Sequence, residues 1–206
     1  LFNNINFTEK ILKYNHHNLG NICLLSIEYL KFDIIKLLYN YYPEIINKKY
    51  NFTTPLHITS LYTNYNNKKE YMKKFLLFLL NCPNIKKNVK DKFGRTPFMI
   101  CNPEYYHYFK IKNNDIFNKK DNLGNNIIMS LLDKNNIYYS YKKHEKIELL
   151  KFKKILKLTP NSGLNNINNN FKDIFTLLLN LNCTEYVKKK LMDEYYKELY
   201  KRKLLN

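Results

Sequence analysis

The sequence predicts an all-α solenoid of about four to five irregular helix-turn-helix units stacked in a row, with a capping helix at each end. Three observations carry the prediction. A turn-like tetrapeptide recurs, Asn18-Leu19-Gly20-Asn21 and Asn122-Leu123-Gly124-Asn125, each time followed by an apolar stretch. Two Thr-Pro pairs, Thr54-Pro55 and Thr96-Pro97, stand where helices begin, because Pro loses nothing at a first helical position whose N–H has no partner anyway. Behind these starts run segments with an apolar period near 3.6.

Residues 8–14 read as the second helix of a truncated leading unit, so 1–17 form an N-terminal cap. Aligning the turn position gives Gly20, Phe52, Gly94 and Gly124, spaced by 32, 42 and 30 residues, with a weaker fifth copy at 169–175. Glycine there supplies a positive φ at little steric cost. Two residues later Thr54, Thr96, Asn126 and Asp173 are good N-caps, whereas Ile22 breaks that pattern in the first copy. A short first helix and a longer second one follow. The second helices show apolar stripes at Phe32, Ile35 and Leu38, at Met72, Phe75, Leu76 and Leu79, and at Ile147, Leu150 and Leu156. Neither helix of a pair can bury its face alone, so neighbouring units must stack. Residues 62–71 insert a polar stretch into the second unit. The third unit has a stunted second helix near 105–109, and the fourth a long basic one over 141–158. The Asn-rich run 161–170 reads as a mobile loop. These units make one domain over 18–183. Residues 184–206 follow as a C-terminal helix with the stripe Val187, Leu191, Tyr195 and Leu199, which closes the stack or, on a second reading, meets a membrane surface or a partner helix.

Composition limits what the charge can mean. The chain holds 33 Asn, 33 Lys, 2 Arg and 2 Val among 206 residues, and no Ala, Gln or Trp. These are the residues of A- and T-rich codons, so a formal charge of +18 reports mutation pressure before it reports an anionic partner. The four Cys lack any C-x-x-C or metal-ligand spacing and point to free thiols in a reducing, cytoplasmic compartment. The longest apolar run, 75–80, is far below the ~20 residues that span a bilayer. The chain opens on Leu1 rather than Met, which points to a fragment.

Signs of catalysis are missing. Four Gly cannot build a phosphate-binding loop, there is no G-x-S-x-G elbow, and His144-Glu145-Lys146-Ile147-Glu148 lacks the second His of a zinc-protease helix. The reading is therefore non-enzymatic, with no catalytic residue, cofactor or metal.

Asp91-x-x-Gly94-x-Thr96-Pro97-Phe98 and Thr54-Pro55-Leu56-His57 resemble the D-x-x-G-x-T-P-L-H signature of ankyrin repeats, and the resemblance runs over about 17–185. It implies that His57 is a structural hydrogen-bonder between units, and that the inter-unit turns project as a row of tips which, with the first helices, bind a partner. Carried onto this sequence, the tips are Lys48, Lys49, Tyr50 and Asn51; Lys90, Lys92, Phe93 and Arg95; and Lys119, Lys120 and Asn122. That is a positive stripe with aromatic anchors, suited to another protein that is acidic at the contact. The first helices depart from the family by carrying larger residues at its Ala positions. Divergent ankyrin proteins of AT-rich large DNA viruses, poxvirus-like ones especially, and of some protists are similar, and for a viral chain the resemblance implies a host-interaction or immune-evasion adaptor in the host cytoplasm. Two alternatives stay open: a nucleic-acid or anionic-surface binder driven by the net charge, and a structural segment of a larger scaffold. Oligomeric state is left open.

Overall fold

The computed structural model describes residues 19–110, 114–132, 145–170, 172–181 and 184–204, and within them it is helical, with no strand. The expected leading cap (1–17), His16-His17, Cys183 and the first residues of the basic helix (141–144) lie outside the described residues.

Five helix pairs follow one another. They are α1 (Leu19–Glu28) with α2 (Phe32–Tyr41); α3 (Pro55–Tyr62) with α4 (Lys69–Asn81); α5 (Pro97–Ile100) with the 3-10 helix Pro103–Phe109; α6 (Ile127–Leu132) with α7 (Glu145–Leu158); and, after the short α8 (Asn161–Leu164), α9 (Ile174–Leu179) with α10 (Glu185–Lys201). The helix starts follow the expected caps. Thr54, Thr96, Asn126 and Asp173 each accept the backbone N–H three residues on, at 3.4, 3.4, 3.2 and 2.7 Å, and Thr184, which the sequence reading did not name as a cap, does the same at 3.4 Å.

Packing runs from pair to pair. Helix α1 lies against α2 and α3, and α3 against α4 and α5; α6 touches α7 and α9, and α10 closes on α7 and α9. The second members join through Phe32, edge-on to Phe75 and Phe78 at 5.1 and 5.5 Å, and through the Pro103–Phe109 helix, which meets both α4 and α7. One apolar cluster extends from Leu19 to Leu199. The third pair is too short to bury much by length, and aromatic rings fill the gap. Phe98 packs on Tyr106, Phe109 and Phe117 at 4.1, 5.3 and 5.2 Å, each contact adding roughly 0.5–1.5 kcal/mol beyond area burial. The C-terminal stripe is a closing face: Leu191, Tyr195 and Leu199 are buried.

Two expectations need correction. Gly20 is not in a turn. It lies in the first turn of α1, buried, and the Tyr50 ring sits on it so closely that a Cβ would fall 1.4 Å from a ring carbon. The 161–170 run is no loose loop. It contains α8, and Asn166 and Asn168 are buried. Asn carries both a donor and an acceptor, so it can satisfy buried polar groups on either side of the junction with the preceding unit. Asn166 donates to Gly124 O (3.0 Å), Asn168 to Asn125 Oδ1 (2.8 Å), and Asn126 to Gly163 O (2.7 Å).

The only two Arg of the chain, both at positions needing a planar fork of donors, are structural. Arg202 pairs with Glu198 (2.7 Å) and donates to Leu156 O (3.0 Å), Lys157 O (3.1 Å) and Thr159 O (2.5 Å), capping the end of α7.

Candidate functional site: the inter-unit turns

Three turns share one construction. In 91–95, Asp91 N–H donates to Arg95 O (2.9 Å), and Asp91 Oδ1 accepts from Phe93 N–H and Arg95 N–H, both at 2.9 Å. In 121–125 the same three bonds link Asp121, Leu123 and Asn125, all at 2.9 Å. In 168–172 they link Asn168, Asn170 and Lys172, each at 3.0 Å. Gly94 and Gly124 take φ 78° and 77°. A side chain there would meet Asn122 Oδ1 at 2.2 Å or Asn169 Oδ1 at 2.5 Å, because the next turn lies directly against each.

Asparagines tie the turns together. Asn122 donates its backbone N–H to Phe93 O (2.9 Å) and its amide to Lys92 O (3.0 Å). Asn169 repeats both bonds one unit on, to Leu123 O (2.8 Å) and Asn122 O (3.0 Å). The first turn differs, being a two-residue loop in which Tyr50 and Thr53 exchange N–H···O bonds of 2.7 and 3.0 Å. It is linked to the second through His57. The His57 Nδ1 accepts from Thr54 N–H (3.2 Å), so the proton is on Nε2, which donates to Arg95 O (3.1 Å). Burial holds the His57 pKa below its ordinary value. This is the structural role that the resemblance implies for His57.

The expected contact residues divide into those facing out and those turned in. Lys48, Lys49, Asn51, Lys90, Lys92, Lys119, Lys120 and Asn122 are exposed, with Lys48 in a surface ion pair with Glu44 (3.5 Å) that is worth little. Phe93 is 36% exposed, with Lys92 Nζ and Arg95 Cζ at 4.9 and 4.6 Å from its ring centre. Arg95 does not belong to the outward charge. It is buried and grips Asp91 Oδ2 through Nε (2.9 Å) and Nη2 (2.7 Å). Tyr50 is half-buried on Gly20 and so is a packing residue rather than an anchor. The side chain of Asn122 is spent on the preceding turn, and Lys90 Nζ reaches Lys120 O (3.0 Å).

Two exposed apolar residues on this edge escaped the sequence reading, Phe52 (65%) and Leu123 (40%). The signal for Phe52 was its place in the glycine column. The carboxylates of the turns face inward: Asp91 meets Arg95 and backbone N–H groups, and Asp121 also accepts from Ser130 Oγ (3.1 Å). The outside of the turns carries lysines, asparagines and apolar side chains.

No cluster of His, Cys, Asp and Glu among the described residues could hold a metal, and none of their helices is long and apolar enough to cross a membrane. Cys23, Cys82 and Cys101 are free and buried, and burial raises the Cys23 and Cys101 thiols to about 12, far from thiolate chemistry. No protein-family model matches the chain, and a search of curated proteins finds no match.

Proposed function

We propose that the chain is a divergent ankyrin-repeat solenoid of about five units that works as a non-enzymatic protein-interaction module, with the turn edge as its binding surface and a partner acidic at the contact. The observation that carries this reading is the sorting of charge along that edge. Asp91 and Asp121 are consumed by turn architecture, while Lys49, Lys92, Lys119 and Lys120 point outward beside exposed apolar side chains. Such an edge has positive potential and some desolvatable apolar area, the combination that steers and then holds an acidic protein. The repeated turns and the His57 tie support the family assignment. In a virus the same edge would serve capture of a host protein in the cytoplasm.

The test is a pull-down from cell lysate with the tagged chain and with a Lys49→Glu/Lys92→Glu/Lys119→Glu/Lys120→Glu variant, each with and without nuclease at moderate salt. The reading expects a stoichiometric protein band that is indifferent to nuclease and lost in the variant. Loss of all bound material on nuclease treatment would transfer the charge to nucleic-acid binding, whose affinity falls steeply with salt.

A further inference from the structure

In the first turn two consecutive residues that are not glycine take left-handed backbone, Asn51 at φ 49° and Phe52 at φ 65°. With the paired Tyr50–Thr53 hydrogen bonds this is a two-residue loop of the I′ kind, which favours Asn at its first place and Gly at its second. The next two turns carry Gly94 and Gly124 in left-handed backbone. A benzyl group in that region strains the chain, and packing does not offset the strain, because the ring is 65% exposed. Folding alone favours glycine at position 52. A residue that costs stability in its backbone and exposes apolar surface to water is a candidate for binding.

Phe52 is also not isolated. Phe93 and Leu123 stand exposed at the apices of the next two turns, so three apolar side chains follow one another along the edge, flanked by Lys49, Lys92, Lys119 and Lys120.

We propose that Phe52 is the anchor of this edge and that its partner is a protein segment in which an apolar side chain seats on the Phe52 ring while neighbouring carboxylates meet Lys49 and Lys92. The proposal rests on the protein-binding reading above. A polypeptide fits better than single-stranded nucleic acid for two reasons. The row ends in Leu123, which offers no ring face to a base, and Phe93 already has Lys92 and Arg95 against its ring. Both arginines, the residues best suited to phosphates, are turned inward.

Phage-displayed short random peptides, panned against the whole chain, supply one probe, and oligothymidine supplies the other. The wild-type chain is expected to enrich peptides that combine Asp or Glu with Phe, Leu or Met. Phe52→Gly is expected to weaken the best of these about tenfold or more, while raising Tm by about 2–4 °C as the strain is relieved. Unchanged peptide affinity in Phe52→Gly would overturn the anchor and leave the protein-binding edge standing. A fall in Tm would overturn the strain argument beneath it. Failure of the wild-type chain to enrich any such peptides, with or without binding of oligothymidine, would overturn the underlying reading and the anchor with it.

Discussion

Arg95 and Asp91 form a nearly dry pair inside a surface turn, with side-chain exposures of 7% and 2%. Replacing Arg95 by Met keeps the stem but strips Asp91 Oδ2 of two hydrogen bonds at 2.9 and 2.7 Å and leaves its charge unpaired. Breaking a buried pair from one side costs about 3–5 kcal/mol, and the edge position puts this case at about 3. At about 2–4 °C per kcal/mol for a chain of this size, Tm should drop by about 6–12 °C. The 168–172 turn supplies the control. There Asn168 holds the same bracket of backbone N–H groups without a charge. Asp91→Asn/Arg95→Met should therefore recover about 2 kcal/mol of the loss, so the pair couples by at least about 2 kcal/mol in the double-mutant cycle. Urea unfolding followed by circular dichroism measures all four proteins. A loss below about 1 kcal/mol for Arg95→Met, or a double variant no better than the single one, would refute the argument that the pair is a neutralised element of turn architecture.

Three further outcomes follow. Gly20→Ala, which in an open helix stabilises by about 0.5–1 kcal/mol, should here destabilise because its Cβ meets the Tyr50 ring. In a Tyr50→Ala background the same change should become neutral or favourable, as thermal melts of the pair would record. His57 has its folded pKa depressed by burial, so the unfolded state binds more protons below the ordinary His value of 6.5. Its contribution is complete above pH 6.5 and shrinks as pH falls from there; the urea midpoint should decline between about pH 6.5 and 5, and His57→Gln should flatten that decline. Arg202→Lys should cost about 1–2 kcal/mol, since an ammonium cannot reach Glu198 and the carbonyls of Leu156, Lys157 and Thr159 together; the loss is read from the same unfolding curves.

Helix starts were legible in the sequence because a cap is a local device. Thr54-Pro55 and Thr96-Pro97 specify theirs within four residues. The tetrapeptide Asn-Leu-Gly-Asn was not decisive, and the reason is one residue upstream. At 122–125 it follows Asp121, whose carboxylate accepts two backbone N–H groups and pins Gly124 in a turn. At 18–21 it follows His17, which has no carboxylate, and the Leu-Gly-Asn portion is helical. The Asn-rich run was misread because composition hides which amides face the preceding unit; only the stacking shows that Asn166, Asn168 and Asn169 are its seam. Arg95 was misassigned for the same reason. Its charge is visible in the sequence, but the partner that neutralises it is four residues away in a turn whose shape depends on that pairing.

The most direct measurement is hydrogen–deuterium exchange of the whole chain, alone and bound to the protein recovered in the pull-down. Added protection on the segments 48–53, 90–95 and 119–123, with little change elsewhere, is the predicted result. Protection confined to the basic helix Glu145–Leu158 or to the C-terminal helix Glu185–Lys201, with the turns unaffected, would contradict the assignment of the turn edge as the binding surface.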